Sequence, residues 1–257
     1  MDRVPSVLAC DVGNTRIRLA LVEAEETSEP RSLRIGDLSE LGGALKDLWE
    51  KAEPPRKIAA SSVNPPGLKA LEAAAMDALH EPVLVVGRDL PLPIGTDLAA
   101  PEKVGVDRLC CAAAAYDRLG TSCVVADLGT AITVDCVSDE GVFLGGAILP
   151  GLSMSADGLH ESTAQLPRVE LKECDCVFGK DTRQAILSGL LRGARGALRE
   201  LIETYATELG HWPTVICTGG DADLVCGRPG DSGLVQAIVP ELSLRGVAMA
   251  FYKSLLK

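Results

Sequence analysis

The sequence is poor in aromatic residues, with two Trp, three Tyr and three Phe among 257 residues. Single-stranded nucleic acids bind to proteins largely by stacking on aromatic rings, so material for such a platform is scarce. Basic residues are also in the minority, because 25 Lys and Arg face 36 Asp and Glu and the net charge is −11. Since binding a phosphate backbone requires a basic surface, the composition argues against a nucleic-acid partner.

Long apolar runs are missing as well. The longest uncharged stretch covers 141–156, and several glycines and Pro150 interrupt it. A membrane-spanning helix needs about 20 apolar residues, and the short run from Val4 to Cys10 is too brief for the apolar region of a signal peptide. We therefore expect a cytoplasmic globular protein with no membrane contact. Its length is sufficient for one large or two medium domains.

Residues with the spacing of a metal site are also absent. The three histidines stand far apart, and the nine cysteines include no pair separated by two residues. Cys174 and Cys176 alone lack the spacing of zinc ligands. We interpret the cysteines as reduced thiols, most of them buried, which is typical of cytoplasmic proteins.

Two segments of the chain resemble each other. Residues 7–22 and 123–137 each begin with an apolar run, continue with Asp-apolar-Gly and a small polar residue, and end in a second β-rich run. The two aspartates, Asp11 and Asp127, lie almost half the chain length apart. Such internal similarity predicts two copies of one fold.

The hydrophobic pattern after each copy predicts alternating strands and helices. In the first half we expect strands at 31–35, 57–63 and 82–86 and helices at 38–48 and 68–79. In the second half we expect strands at 142–149, 215–218 and 234–239, helices at 151–164 and 181–209, and a final helix that ends at about 256. The prediction is therefore an α/β fold with a mixed sheet in each of two related lobes. We place the lobes at 1–118 and 119–257, because the turn-rich stretch 116–122 separates the copies.

The segment Asp11–Thr15 places a carboxylate at the end of a buried strand and a glycine in the turn that follows. Gly13 permits close approach of a ligand, Arg16 and Arg18 add positive charge, and the carboxylate suits Mg²⁺ held through its waters. A plain hairpin turn explains the same residues, since Asp, Gly and Asn favour turns. The second copy favours phosphate binding, because two such turns facing each other across a cleft would grip a triphosphate. Asp135 is predicted to lie on the same side of its hairpin as Asp127.

Three other segments hold candidate site residues. Thr218–Ala222 contains a Gly pair between a strand and a predicted helix, which suits close approach by a base or ribose. Asp107 precedes the helical run 109–119 and, read alone, is a candidate N-cap. Thr182 likewise precedes a long helix and is a second candidate cap.

Together these motifs resemble the acetate kinase, sugar kinase, Hsp70 and actin superfamily, in which two ribonuclease-H-like lobes close over ATP. Within it, the sequence is most similar to type III pantothenate kinases. The matching segments follow one another in the family's order: DVGNT at 11–15, GVDR at 105–108, DLGTAITVD at 127–135, GGAILPG at 145–151, LHESTAQLPRVE at 159–170, GKDT at 179–182, AILSG at 185–189 and TGGDA at 218–222.

The resemblance implies that the protein phosphorylates pantothenate with ATP, the first step towards coenzyme A, and that it forms a homodimer. It assigns Asp107 as the catalytic base, Asp11 to Mg²⁺ and Asp127 to a monovalent cation, K⁺ or NH₄⁺. The implied ATP contacts are Asp11, Val12, Gly13, Asn14, Thr15, Arg16, Ile17, Arg18, Thr130, Gly219 and Gly220. The implied pantothenate contacts are Gly105, Val106, Asp107, Arg108 and Thr182.

The residue types fit this chemistry. Phosphoryl transfer depends mainly on positioning and charge neutralisation, and the base takes the hydroxyl proton late in the reaction. Arg108 is suited to pair with the pantothenate carboxylate. One departure concerns the loop 94–104, which has no aromatic residue although the family usually has one there. The apolar wall over pantothenate is therefore different or supplied elsewhere.

Two alternatives remain open at this point. A kinase of another small hydroxyl substrate would share the ATP residues and differ around 94–108 and 150–182. A non-catalytic regulator that keeps the fold would be expected to lose some of the residues Asp11, Asp107, Asp127 and Thr130, all of which are intact.

Overall fold

The apolar runs of the sequence form two mixed β-sheets in a computed structural model, which describes residues 4–23, 26–227 and 233–256. The elements of the N-terminal half are β1 (Ser6–Val12), β2 (Arg16–Glu23), β3 (Glu26–Thr27), β4 (Arg31–Arg34), α1 (Leu41–Lys51), β5 (Arg56–Ser62), α2 (Pro65–Leu79), β6 (Val83–Val85), β7 (Gly95–Thr96), a 3₁₀ turn (Pro101–Lys103) and α3 (Val106–Leu119). Those of the C-terminal half are β8 (Cys123–Leu128), β9 (Ala131–Val137), β10 (Val142–Pro150), α4 (Leu152–Glu161), α5 (Thr182–Leu209), β11 (Thr214–Thr218), α6 (Ala222–Cys226), β12 (Ala237–Ile238) and α7 (Leu242–Ser254).

The first sheet has the strand order β3-β2-β1-β5-β6, and β4 also pairs with β2. Strand β1 is antiparallel to β2 and parallel to β5. All seven residues of β1 are buried, and alternate side chains point to opposite faces of the sheet. Leu8 and Cys10 pack with α1 and α2, whereas Val7 and Ala9 pack with α7. Helices therefore cover both faces of the central strand.

The second sheet repeats this arrangement. Its order is β12-β11-β8-β9-β10-β7, and its central strand β8 is antiparallel to β9 and parallel to β11. Leu191, Leu198 and Ile202 of α5 pack in the core with side chains of β8, β9 and β11. The prediction of two related α/β lobes is thus confirmed. In both sheets the central strand is antiparallel to the next strand in the chain and parallel to a later one.

The chain folds as two compact units whose borders differ from a single division after residue 118. One unit runs to Arg118 and also includes residues 141–143 and the segment from Glu241 onward, and the other holds 119–140 and 144–240. The physical reason is packing: Leu244, Val247 and Phe251 of α7 are buried in the core of the first unit. Strand β10 begins in the first unit, where Phe143 pairs with Thr96 of β7.

Most element boundaries agree with the sequence prediction to within a few residues. The main difference is the predicted strand 234–239, of which only β12 (Ala237–Ile238) is formed. The two-residue strands β3 and β7 were not predicted, since so short a pairing leaves no hydrophobic pattern. None of the helices in the described ranges is long and apolar enough to span a lipid bilayer.

Candidate functional site

Asp11 lies near the end of β1 and is 4% exposed. Its Oδ1 accepts a hydrogen bond from Ser61 Oγ at 2.9 Å. Its Oδ2 accepts from Arg18 Nη2 at 2.7 Å and from Ser243 Oγ at 2.8 Å. The register explains two of these contacts, because Asp11 faces Arg18 on antiparallel β2 and Ser61 on parallel β5. Three elements therefore hold this buried carboxylate, and its charge is compensated by the guanidinium.

The turn after Asp11 divides the predicted phosphate-binding residues into two groups. Asn14, Thr15 and Arg16 are exposed, whereas the side chains of Val12 and Ile17 are buried in the core. Val12 and Ile17 face each other across the two strands, and they offer a ligand only their backbone.

Gly13 lies in this turn, and its N–H donates a hydrogen bond to the carbonyl of Arg16 at 3.0 Å. It has little room for a side chain, because an added Cβ would lie 3.3 Å from that oxygen.

Asp107 lies in the first turn of α3, which begins at Val106. The alternative that Asp107 caps a helix starting at residue 109 is therefore wrong, because the helix starts three residues earlier. Its Oδ1 accepts a hydrogen bond from the backbone N–H of Arg108 at 2.8 Å, and a carboxylate in this position interacts favourably with the helix dipole. A Cβ on Gly105 would lie 2.5 Å from the same Oδ1. Glycine at 105 thus leaves space for the carboxylate.

The Arg108 guanidinium lies against an aromatic ring, with its Cζ 5.7 Å from the centroid of Phe143. A cation over an aromatic face is attracted by the ring quadrupole. Phe143 comes from β10 and is fully buried. An aromatic residue distant in sequence thus accompanies the motif whose preceding loop, 94–104, has none.

The carboxylates of Asp11 and Asp107 act on one buried thiol of α3. Burial raises the pKa of Cys110 well above its ordinary value, and the negative charges of Asp11 and Asp107 raise it further. The first unit therefore brings the predicted phosphate-binding and substrate-binding carboxylates into one neighbourhood, although they are far apart in sequence.

In the second unit, Asp127 lies on β8 beside the segment that follows β11. A Cβ on Gly219 would come within 2.5 Å of Asp127 Oδ1 and of the carbonyl oxygen of Leu128, and Gly219 has φ +95°. The backbone N–H of Asp221 donates to that same carbonyl at 2.9 Å. The segment after β11 thus lies so close to the end of β8 that residue 219 must be glycine. Carboxylate and carbonyl oxygens are the donors that hard cations prefer, so the chemistry of this corner fits a monovalent cation.

Thr130 lies in the turn between β8 and β9, where its carbonyl accepts a hydrogen bond from Gly151 N–H at 3.2 Å. Helix α4 begins directly after Gly151. Asp127 pairs with Thr133, and Asp135 stands two residues further along β9, so both carboxylates are on one face of the hairpin, as predicted.

Thr182 is the first residue of α5 and is exposed. It is not the cap of that helix: Asp181 occupies this position, and its Oδ1 accepts a hydrogen bond from Gln184 N–H at 2.9 Å. Gly220 is open, since an added Cβ would have no atom within 4 Å.

Sequence reasoning missed Ser61 and Ser243, the hydroxyl donors to Asp11. Ser61 is a polar residue near the end of an apolar strand, which is a weak signal, and Ser243 has none because it belongs to a helix more than 200 residues away. Within the ranges that the structure describes, no three His, Cys, Asp or Glu side chains are grouped to hold a metal ion. Mg²⁺ bound with a nucleotide needs only one or two carboxylates, because phosphates and waters complete its shell, so Asp11 fits that role.

Comparison with known proteins adds independent information. The family model described as type III pantothenate kinase matches residues 7–204. A protein of Dehalococcoides mccartyi named type III pantothenate kinase is 32% identical over 252 residues, which cover 95% of this chain and 96% of the relative.

Two solved structures share the fold. A Campylobacter jejuni protein assigned by its name to the Baf family of transcriptional activators has a TM-score of 0.62 and 20% identity, over 98% of this chain and 100% of the other. Component A of the (R)-2-hydroxyglutaryl-CoA dehydratase of Acidaminococcus fermentans has a TM-score of 0.55 and 16% identity, over 99% and 100%. At these identities the likeness concerns the fold alone, and it agrees with the two-lobed α/β prediction.

Proposed function

Because this chain belongs to the type III pantothenate kinase family, which phosphorylates pantothenate for coenzyme A biosynthesis, we propose which of its residues carry the reaction. Family membership removes the alternatives of a different small-molecule kinase and of a regulator. The observation that supports the assignment best is the shared neighbourhood of Asp11 and Asp107 around Cys110. One carboxylate for the nucleotide and one for the acceptor hydroxyl are thereby supplied by the same unit.

Asp11 and the turn 12–18 are proposed to bind the phosphates of ATP. The exposed residues Asn14, Thr15 and Arg16 supply side-chain donors, and the turn supplies backbone N–H groups. Asp11 would hold Mg²⁺, which neutralises phosphate charge when bound. The hydrogen bonds from Ser61 and Ser243 fix the orientation of this carboxylate.

Asp107 is proposed to be the base that accepts the proton of the attacking hydroxyl at 4′. The Arg108 N–H fixes one carboxylate oxygen, and the glycine at 105 leaves that oxygen unobstructed. A carboxylate is a weak base for an alcohol, but a loose transition state requires proton transfer only late. Arg108, supported by Phe143, is proposed to pair with the pantothenate carboxylate.

In the second unit, Thr130, Gly219 and Gly220 are proposed to contact ATP, and Asp127 to hold K⁺ or NH₄⁺. The open surface at Gly220 suits a flat base or a ribose, because nothing within 4 Å blocks it. Thr182 is proposed to contact pantothenate. A homodimer is proposed as well, and sedimentation as a fully active monomer at assay concentration would contradict it.

The first test is ATP-dependent phosphorylation of pantothenate by the purified protein, with Mg²⁺ and with K⁺ compared to Na⁺. We expect turnover that requires K⁺ and that falls at least about 100-fold in kcat in the Asp107→Asn variant, since general bases contribute about 10²–10⁴-fold. Asp117→Asn is the matched control, because Asp117 is an exposed carboxylate on the same helix.

The outcomes separate the parts of the proposal. Equal turnover by Asp107→Asn and Asp117→Asn would contradict the role of Asp107 as base. Activity independent of the monovalent cation would contradict the role of Asp127 and leave Asp107 unaffected.

A further inference from the structure

Two cysteines flank the segment Thr218–Ala222, which is predicted to approach a base or ribose. Cys217 belongs to β11, and Cys226 is the last residue of α6. Their Sγ atoms lie 2.9 Å apart, and the chain between them, 218–225, contains both Gly219 and Gly220. The two thiols are therefore in direct contact although eight residues separate them.

The surroundings of the two thiols differ. Cys217 is fully buried, whereas Cys226 is half-buried. Arg195 lies beside Cys226, because its Nε and Nη2 donate to the carbonyls of Val225 and Leu224 at 2.8 and 2.9 Å. A cation next to a partly exposed thiol is the setting in which cysteines become reactive.

The surroundings shift the pKa values of the two thiols in opposite directions. The contact with Cys217 and then the Arg195 guanidinium lower the pKa of Cys226, against burial and the negative charge of Asp223. The same contact and burial raise the pKa of Cys217. Cys226 is therefore the more acidic thiol of the pair.

We propose that Cys226 and Cys217 form a dithiol site that hydroperoxides oxidise to a disulfide. Sensor cysteines combine an accessible, acidic thiol with a second thiol poised to resolve its oxidised form. Here Cys226 is partly exposed beside Arg195, and Cys217 is in contact with it. A metal ion is a poorer occupant, because two sulfurs in direct contact leave no space between them for an ion with Zn–S bonds of about 2.3 Å.

The reaction balances in two steps. The Cys226 thiolate attacks one oxygen of the hydroperoxide, the O–O bond breaks, and the leaving oxygen takes up a proton, so that Cys226 becomes a sulfenic acid. The Cys217 sulfur then attacks the Cys226 sulfur, the S–O bond breaks, and the departing hydroxide leaves as water with the proton of Cys217. The two thiols are oxidised and the hydroperoxide is reduced. A dithiol reductant reverses the change by thiol–disulfide exchange.

The test uses a background in which Cys174 and Cys176 are serine, because these half-buried thiols also touch, at 2.6 Å, and would oxidise as well. The folded protein is treated with limiting hydrogen peroxide and examined by intact mass and peptide mapping. We expect the loss of two hydrogens, a cross-linked Cys217–Cys226 peptide pair, and recovery of the original mass with dithiothreitol. A folded, peroxide-treated protein without this cross-link would overturn the proposal.

Single variants identify the order of the steps. In Cys217→Ser, we expect a sulfenic acid at Cys226 that dimedone captures, whereas Cys226→Ser should leave Cys217 unmodified. The alkylation rate of Cys226 in the parent background should rise with pH, with a midpoint below that of the same thiol in the unfolded protein. The Arg195→Gln variant should raise that midpoint, because the guanidinium lowers the pKa of Cys226. Prior modification of Cys217, or a midpoint unmoved by Arg195→Gln, would contradict the proposal.

Discussion

At the scale of single residues, the buried carboxylate of Asp11 is held by three hydrogen-bond donors. It receives hydrogen bonds from a guanidinium and two hydroxyls that come from β2, β5 and α7. Breaking a hydrogen bond to a buried charge costs more than breaking one between neutral groups. The buried charge is then left without a partner, because water does not reach it. The hydroxyls therefore contribute to stability as well as to the orientation of the carboxylate.

We accordingly expect Ser61→Ala to lower the free energy of unfolding by about 1.5–3 kcal/mol, since its hydroxyl donates to a charged group. The KM for ATP should rise at the same time, because Asp11 is freer to rotate. Urea denaturation and steady-state kinetics measure the two effects. Ser153→Ala, at an exposed position on α4, is the control and should change neither; an equal loss in both variants would contradict the prediction.

Gly219 and Gly220 differ in how much room each has for a side chain. Gly219→Ala places a methyl against Leu128 and Asp127 at φ +95°, a conformation that costs an L-residue about 1–2 kcal/mol. We expect it to lower the free energy of unfolding by at least about 1 kcal/mol. Gly220→Ala meets no atom within 4 Å and should stay within about 0.5 kcal/mol of the parent. Thermal denaturation of both variants measures the difference, and equal melting temperatures for Gly219→Ala and Gly220→Ala would contradict this prediction.

Much of the site could be predicted from local sequence, because Asp11, Asp107 and Asp127 each stand in a short segment with its own glycine. What the sequence could not provide is the set of partners. Ser243 reaches Asp11 from a helix near the other end of the chain, and Phe143 reaches Arg108 from a strand of the later half. Such contacts depend on tertiary packing, which leaves no periodic signal.

At the scale of elements, α7 packs unusually closely on α3. A Cβ on Gly246 would overlap the backbone of Cys110, so the two helices approach each other at a glycine. Gly246→Ala must push the helices apart, and we expect a loss of about 2–3 kcal/mol, at the upper end for overpacking.

Gly196 gives the matched control for this change. It is exposed in the interior of α5, and an added Cβ meets nothing within 4 Å. Gly196→Ala should stabilise the protein by about 0.5–1 kcal/mol through helix propensity alone. Chemical denaturation of both variants measures the difference. A stabilising effect of Gly246→Ala would contradict the close contact between α7 and α3.

The elements themselves were predictable where burial is strong. Strands β1, β5 and β8 are apolar runs and formed within a few residues of expectation. The stretch 234–239 is equally apolar but forms only the two-residue β12, because an edge position provides one neighbouring strand instead of two. Hydrophobicity thus predicted burial there, since Leu234 and Val235 are in the core, but not pairing.

At the scale of the whole molecule, the same core arrangement occurs twice, yet the chain does not fill the two units in sequence. The segment from Glu241 onward returns to the unit built from the first 118 residues. Internal similarity predicts two copies, but it carries no information about a closing segment that belongs to only one of them. The borders of the two units are therefore set by the packing of α7 and are not visible in the internal sequence similarity.

Removal of residues 241–257 should consequently damage the first unit. It deletes the apolar residues that cover one face of β1 as well as the Ser243 hydroxyl. We expect loss of hydrogen-exchange protection in β1 or insoluble protein. Truncation after Ser254 is the control, because Leu255 and Leu256 are largely exposed, and it should leave β1 protected. Full protection of β1 without α7 would contradict this view of the core.

The return of α7 also has a consequence for biosynthesis. A ribosome that adds about 5–20 residues per second needs on the order of ten seconds to proceed from Arg118 to the end of α7. Throughout that interval the face of β1 formed by Val7 and Ala9 lacks the part of its cover that α7 supplies. The nascent chain therefore presents an apolar surface that a ribosome-associated chaperone can bind, and the N-terminal unit becomes native only when synthesis is nearly finished.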